Sequence, residues 1–117
     1  MWTTWNYMYD ENDYIMKQIK GMVRGLGKFM GLEQIKELLQ IDADQQGDIT
    51  DLELETIIAM SKLEIIIANM EVPVDELPNE LMIDYERLNN LMAHEASATQ
   101  EELEKLNTYI SVNQSFL

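Results

Sequence analysis

The chain has 117 residues, the length of one domain, and its 46% hydrophobic content is too high for a disordered chain. It has no cysteine, which excludes disulfides, thiolate metal sites and a thiol nucleophile. Its formal net charge is −14. That charge is unevenly spread. Residues 1–36 carry five basic side chains (Lys17, Lys20, Arg24, Lys28, Lys36) against four acidic ones (Asp10, Glu11, Asp13, Glu33). The rest of the chain has three basic and eighteen acidic side chains. Phosphate attraction needs clustered Lys and Arg, so direct nucleic-acid binding by the acidic part is disfavoured. The acidic part suits a basic partner, a cation or solubility alone, and charge by itself also admits an acidic mimic of nucleic acid. The longest apolar runs, Ile65–Ala68 among them, are far shorter than a membrane span, so no transmembrane segment is expected. The N-terminus has no basic region followed by an apolar run, so a cytoplasmic protein is expected.

Residues 1–9 hold both tryptophans and two of the five tyrosines. This segment is expected either to bury Trp2 and Trp5 against the core edge or to anchor a partner or membrane surface. Helix one is predicted from about Asp10 to Met30, with Asp10, Asn12 or Asp13 able to cap it. Ile15, Ile19, Met22, Leu26 and Phe29 recur at spacings of four and three, the stripe of a helix packing along a helical partner. Met16, Val23 and Met30 widen it. Lys17, Lys20, Arg24 and Lys28 lie largely on the opposite side, with no acid between Tyr14 and Met30. Such a basic face suits an acidic surface, whether a membrane, this domain or a second copy. Gly21 and Gly25 are one turn apart, which suits either close backbone approach or a flexible helix. Gly31 is expected to end the helix.

Helix two is predicted over Leu32–Ile41, with Leu32, Ile35, Leu38 and Leu39 inward. Helix three runs from Asp51 to about Met70. Its start is marked by a Thr50/Glu53 capping box, and its second half is apolar nearly all round, which predicts a central buried helix. Pro73 and Pro78 predict a linker over 71–78. Helix four follows to His94, with Leu81, Tyr85, Leu88 and Met92 as its stripe. Residues 93–98 form a small-residue connection. Thr99 and Glu102 form a second capping box opening helix five, about 100–111, before a tail over 112–117. The expected fold is all-α, a single-domain compact bundle of four or five helices with the helix at about 51–70 at its centre.

Between helices two and three, Asp42, Asp44, Gln46, Asp48, Thr50 and Glu53 place oxygen donors at offsets 0, 2, 4, 6, 8 and 11 around Gly47. This resembles the calcium loop of the EF-hand family. Asp42, Asp44, Gly47, Ile49, Thr50 and Glu53 match its pattern, and Gln46 departs from the shorter residues preferred fifth. The resemblance implies calcium bound by these six positions. There is no second loop for it to pair with, and Thr50 and Glu53 already have a complete role as a helix cap. Separately, residues Glu11–Ile19 and the acidic helix start at 42–58 resemble an uncharacterised family of small helical proteins of Gram-positive bacteria. That likeness implies a helical cytoplasmic protein, carries over no site residues, and would make Gly47 incidental.

His94, the only histidine, is expected to cap its helix or lie at the surface. No nucleophile triad or phosphate-cradling glycine loop is present, so enzyme activity is not expected. The nine methionines suit either core filling or an adaptable partner surface. The leading functional expectation is a non-enzymatic interaction module that binds a protein partner or pairs with itself as a homodimer through Ile15, Ile19, Met22, Leu26 and Phe29. Calcium binding at residues 42–53 is the alternative, and the nucleic-acid mimic comes third. No cofactor other than calcium is implied.

Overall fold

The computed structural model describes residues 11–94 and 96–117. These fold as α1 (Glu11–Leu26), α2 (Leu32–Leu39), the single turn α3 (Ala43–Gln46), α4 (Asp51–Met70), α5 (Leu77–Leu81), α6 (Tyr85–Met92) and α7 (Gln100–Val112). Short 3-10 turns lie at Val74–Glu76 and Gln114–Phe116. The fold is all-α. The aromatic segment 1–9 and the candidate cap Asp10 lie outside the described residues. No helix among the described residues is long and apolar enough to cross a membrane.

Helix α4 is the spine, for reasons local to its sequence. The Thr50 hydroxyl accepts from the Glu53 N–H at 3.1 Å, and the Glu53 carboxylate accepts from the Thr50 N–H at 3.4 Å. These bonds satisfy donors that a helix start otherwise leaves orphaned. The helix stops where Glu71 turns left-handed (φ 55°), two residues before Pro73. Its apolar residues then serve two clusters. Leu54, Ile57 and Ile58 pack with Ile19 and Val23 of α1, Leu32 and Ile35 of α2, and Ile49. Ala59, Met60, Leu63 and Ile66 pack with Leu77, Leu81, Ile83, Leu88, Leu91, Leu103, Leu106 and Ile110. Burial on both flanks requires a helix apolar nearly all round, and that is what its sequence supplies. One polar side chain inside, Ser61, donates to the Ile57 carbonyl at 2.9 Å or the Arg24 carbonyl at 3.0 Å, so its burial is satisfied.

The structure departs from the sequence expectation at three helix boundaries. Helix α1 ends at Leu26, not Met30, and the chain turns through Gly27. A Cβ on Gly27 would stand 2.9 Å from the Val23 carbonyl oxygen and 3.0 Å from Ile58 Cα, so only glycine lets α1 close onto α4 there. Gly31 does not end α1. It stands before α2 in extended conformation, and its N–H donates to the Gln34 side chain at 3.1 Å. The predicted fourth helix is two helices. Met82 turns left-handed (φ 57°) after α5, and the buried Ile83 and then Asp84 lead into α6. Ile83 and Leu88 share one cluster, a hydrophobic residue before the cap packing on one in the first turns, and this sets the entry angle of α6. Pro78 belongs to α5, near a helix start where its missing N–H costs nothing. The C-terminal tail folds back on α4, where the Asn69 amide donates to the Phe116 carbonyl.

Candidate functional site

Helix α1 divides the predicted packing stripe. Ile19 is 5% exposed and Val23 fully buried, and Leu26 packs half-buried against the same cluster. Ile15 (42%), Met22 (44%) and Phe29 (78%) instead face outward. The stripe therefore does two jobs. Its inner edge docks α1 onto α4, and its outer edge is apolar surface. A Cβ at Gly21 or Gly25 would meet nothing within 4 Å, so packing inside this chain does not require either glycine. In α2, Leu38 is 57% exposed, against its expected inward place. Leu39, one turn on from Ile35, takes the inner position instead.

The candidate calcium loop is folded differently from an ion-wrapping loop. Its second to fifth positions form the α3 helical turn. The Gln46 side-chain amide donates to the Ile49 carbonyl at 2.6 Å and to Asp51 Oδ1 at 2.9 Å, so its nitrogen end is engaged within the loop. Asp51 is also held by Lys36 at 2.7 Å. Lys36 and then Gln46 lower the Asp51 carboxyl below its ordinary value. Glu53 caps α4 and pairs with Lys20 at 3.3 Å. Asp42, Asp44 and Asp48 are exposed. Among the described residues, no three His, Asp or Glu side chains converge as a metal shell. As folded, Gln46 and Glu53 are engaged with other partners and are not gathered around one point. An ion-wrapped form would have to unwind α3 and release Glu53 from Lys20. Gly47, however, does turn left-handed (φ 61°), and its N–H caps α3 on the Ala43 carbonyl at 3.3 Å. That gives the glycine a structural reason of its own.

A third arrangement joins distant parts of the chain. A cleft of about 340 Å3 opens between the basic face of α1, the start of α4 and the connection from α6 to α7. Lys17, Lys20 and Arg24 line one side, His94, Ala96 and Ser97 the other, and Thr56 and Ile57 the α4 wall. Lys20 is paired with Glu53, whereas Lys17 and Arg24 make no ion pair with any described residue. Thr56 is fully satisfied, donating to the Leu52 carbonyl at 2.7 Å and accepting from the Ala98 N–H at 3.1 Å. Two neighbours differ: His94 Nε2 and Ser97 Oγ are buried with no hydrogen-bond partner among the described residues. His94 closes the end of α6, its N–H donating to the Leu91 carbonyl at 3.1 Å, and its side chain is half-buried. It turns left-handed (φ 60°) just past α6, and its ring nitrogen is buried. Burial first, and then the Arg24 guanidinium, lower its pKa, with Glu64 opposing.

The far wall is held in place by Arg87. Its guanidinium grips Glu102 with two bonds, 2.9 and 2.8 Å, and donates to the Ser97 carbonyl at 2.9 Å. Glu102 also accepts from the Thr99 N–H at 2.9 Å, closing the capping box of α7. Arg87 first, then the Thr99 backbone, push its carboxyl down to about 2, against some desolvation. The basic residues of α1 were visible as one face, but nothing in the local pattern joins them to Ser97. Comparison with protein-family models, curated proteins and solved structures finds no match for this chain.

Proposed function

We propose that this protein is a non-enzymatic interaction module that pairs with a second copy of itself through α1. One observation carries the reading: Ile15 and Met22, seven residues apart on α1, are exposed beside the buried core face of the same helix, and the exposed Phe29 follows in the turn just past its end. A sevenfold apolar row is the seam along which two helices pack. The row is symmetric about Met22. An antiparallel pair puts Met22 against Met22 and brings Ile15 of each copy towards the turn that carries Phe29 in the other, the self-complementary geometry of a two-fold dimer. Gly25 flanks the seam without neighbours, which suits close approach of a second helix.

Sedimentation tests this at about 0.5 mM chain, where a Kd in the micromolar range leaves little monomer. The expected mass is twice 13.6 kDa. Met22→Glu places two carboxylates face to face at the two-fold and should weaken pairing by roughly thirtyfold or more. Leu26→Glu is a poor probe, because Leu26 packs on the core. A mass of 13.6 kDa for the unmodified chain rejects the reading.

Calcium binding by residues 42–53 is the second reading. The left-handed Gly47 at the sixth position of the loop favours it.

A further inference from the structure

Three features lie outside the α1 seam: the acidic surface, the shallow groove beside Met82 and Tyr109, and the cleft between α1 and the α6–α7 connection. The groove holds one enclosed hydroxyl, Tyr109, among mostly acidic neighbours, whereas the cleft sets clustered cations beside two enclosed polar atoms, His94 Nε2 and Ser97 Oγ. We propose that it binds a small phosphomonoester, with Lys17 and Arg24 as charge partners and His94 Nε2 and Ser97 Oγ as hydrogen-bond partners of the phosphate.

The charge pattern selects an anion. Among the described residues, three of the chain's eight basic side chains line this one cleft with one acidic side chain, Glu53, and Glu64 acts on His94 from nearby, in a protein of net charge −14. Lys20 neutralises Glu53 at 3.3 Å, which leaves the two cations without ion pairs, Lys17 and Arg24, facing the cleft. Two uncompensated positive charges match one dianion, and phosphate is doubly charged for most of its population near pH 7. The orphaned atoms narrow the class further. A buried polar atom without a partner costs about 1–3 kcal/mol, so such atoms call for an explanation. His94 Nε2 and Ser97 Oγ can each donate to a phosphate oxygen. Their wall is rigid, because Arg87 and Thr56 tie down the backbone of Ser97 and Ala98.

Size and lining then describe the rest of the ligand. About 340 Å3 is the low end of small-molecule sites, enough for a phosphate and a compact body. Ile57 and Ala96 give that body apolar contact. Gly21 keeps the space open, since a side chain there would project from α1 into the cleft.

The sole histidine is a built-in reporter. Its ring resonances are followed by NMR while inorganic phosphate is added at fixed pH and fixed ionic strength, with sodium chloride and succinate in parallel. Phosphate should give a saturable shift with a Kd on the order of 1 mM, and chloride none. Arg24→Gln should weaken phosphate binding at least tenfold, while Lys28→Gln, in the turn just past the helix and outside the cleft, should stay within twofold. Gly21→Leu fills the space with a better helix former, so it should keep the fold and abolish the shift. The absence of a saturable shift overturns the site. Retained binding in both Arg24→Gln and Gly21→Leu overturns its location, and equal binding of succinate overturns the phosphate class.

Discussion

The Arg87–Glu102 pair allows the most closely worked prediction. Glu102 is held at about 2 instead of its ordinary 4.5. The side chains of Arg87 and Glu102 are 33% and 17% exposed, so water screens the pair only in part. Linkage converts that depression into at most about 3 kcal/mol of stability at neutral pH. The sign follows from the direction. A depressed carboxyl stabilises the fold above its unfolded value, and that stability is lost as pH falls from 4.5 towards 2. The wild-type curve alone is confounded, because protonating the other carboxylates also relieves self-repulsion in a chain of net charge −14. The difference between wild type and Glu102→Gln isolates this one group. Urea melts read by circular dichroism should show Glu102→Gln less stable by about 1–3 kcal/mol at pH 7, with the gap closing between pH 4.5 and about 2. A gap that stays constant with pH refutes the reasoning, since Glu102 would then titrate alike in the folded and unfolded chains.

Two further predictions test the packing and the loop. Gly27→Ala forces α1 off Ile58 and should destabilise by about 1–3 kcal/mol, a fall in Tm of roughly 4–12 °C, whereas Gly25→Ala, with open space around it, should gain about 0.5–1 kcal/mol of helix propensity. Equal melting temperatures for the two variants would contradict the close approach at Gly27. For the calcium reading, 5 mM calcium against a millimolar Kd should raise stability by about 1 kcal/mol, reversibly with chelator, and Asp42→Ala should remove the effect. An unchanged melt, or the same rise in Asp42→Ala, rejects calcium at residues 42–53.

The features legible in the sequence are those decided within one or two turns. Thr50/Glu53 and Thr99/Glu102 are capping boxes because each pair lies three residues apart, and the structure forms both. The all-round apolar run of α4 likewise announces a helix packed on both flanks. The break at Met82 was hidden because a methionine occupies a left-handed position where glycine or asparagine is the usual marker. The buried Ile83 ahead of Leu88 was the available signal for a new helix start. The side-chain partners in the loop at 42–53 were not legible for a different reason. The loop's offsets match a calcium pattern, but the partners of its side chains are set by tertiary neighbours: Lys20 for Glu53 and Lys36 for Asp51. The cleft was legible on one side only. Lys17, Lys20 and Arg24 form a visible row, whereas His94 and Ser97 arrive from some seventy residues away.

Helix geometry makes the two proposed roles of α1 compatible. Residues seven apart fall within about 20° of each other around a helix, so Ile15 with Met22 and Lys17 with Arg24 form two parallel rows. The rows are offset by two residues, about 200°, and so lie on opposite sides. The core row, Ile19 and Val23, lies between them and is buried. Because Gly27 seats the end of α1 against Ile58, the helix cannot roll to bury its apolar seam without lifting from α4. The seam therefore stays outward while the cationic row stays over the cleft. Two copies joined along the seam would carry their clefts on the outer sides of the pair, each still closed by its own His94 and Ser97. Pairing then adds no wall to the cleft and removes none, so each surface answers to its own chemistry.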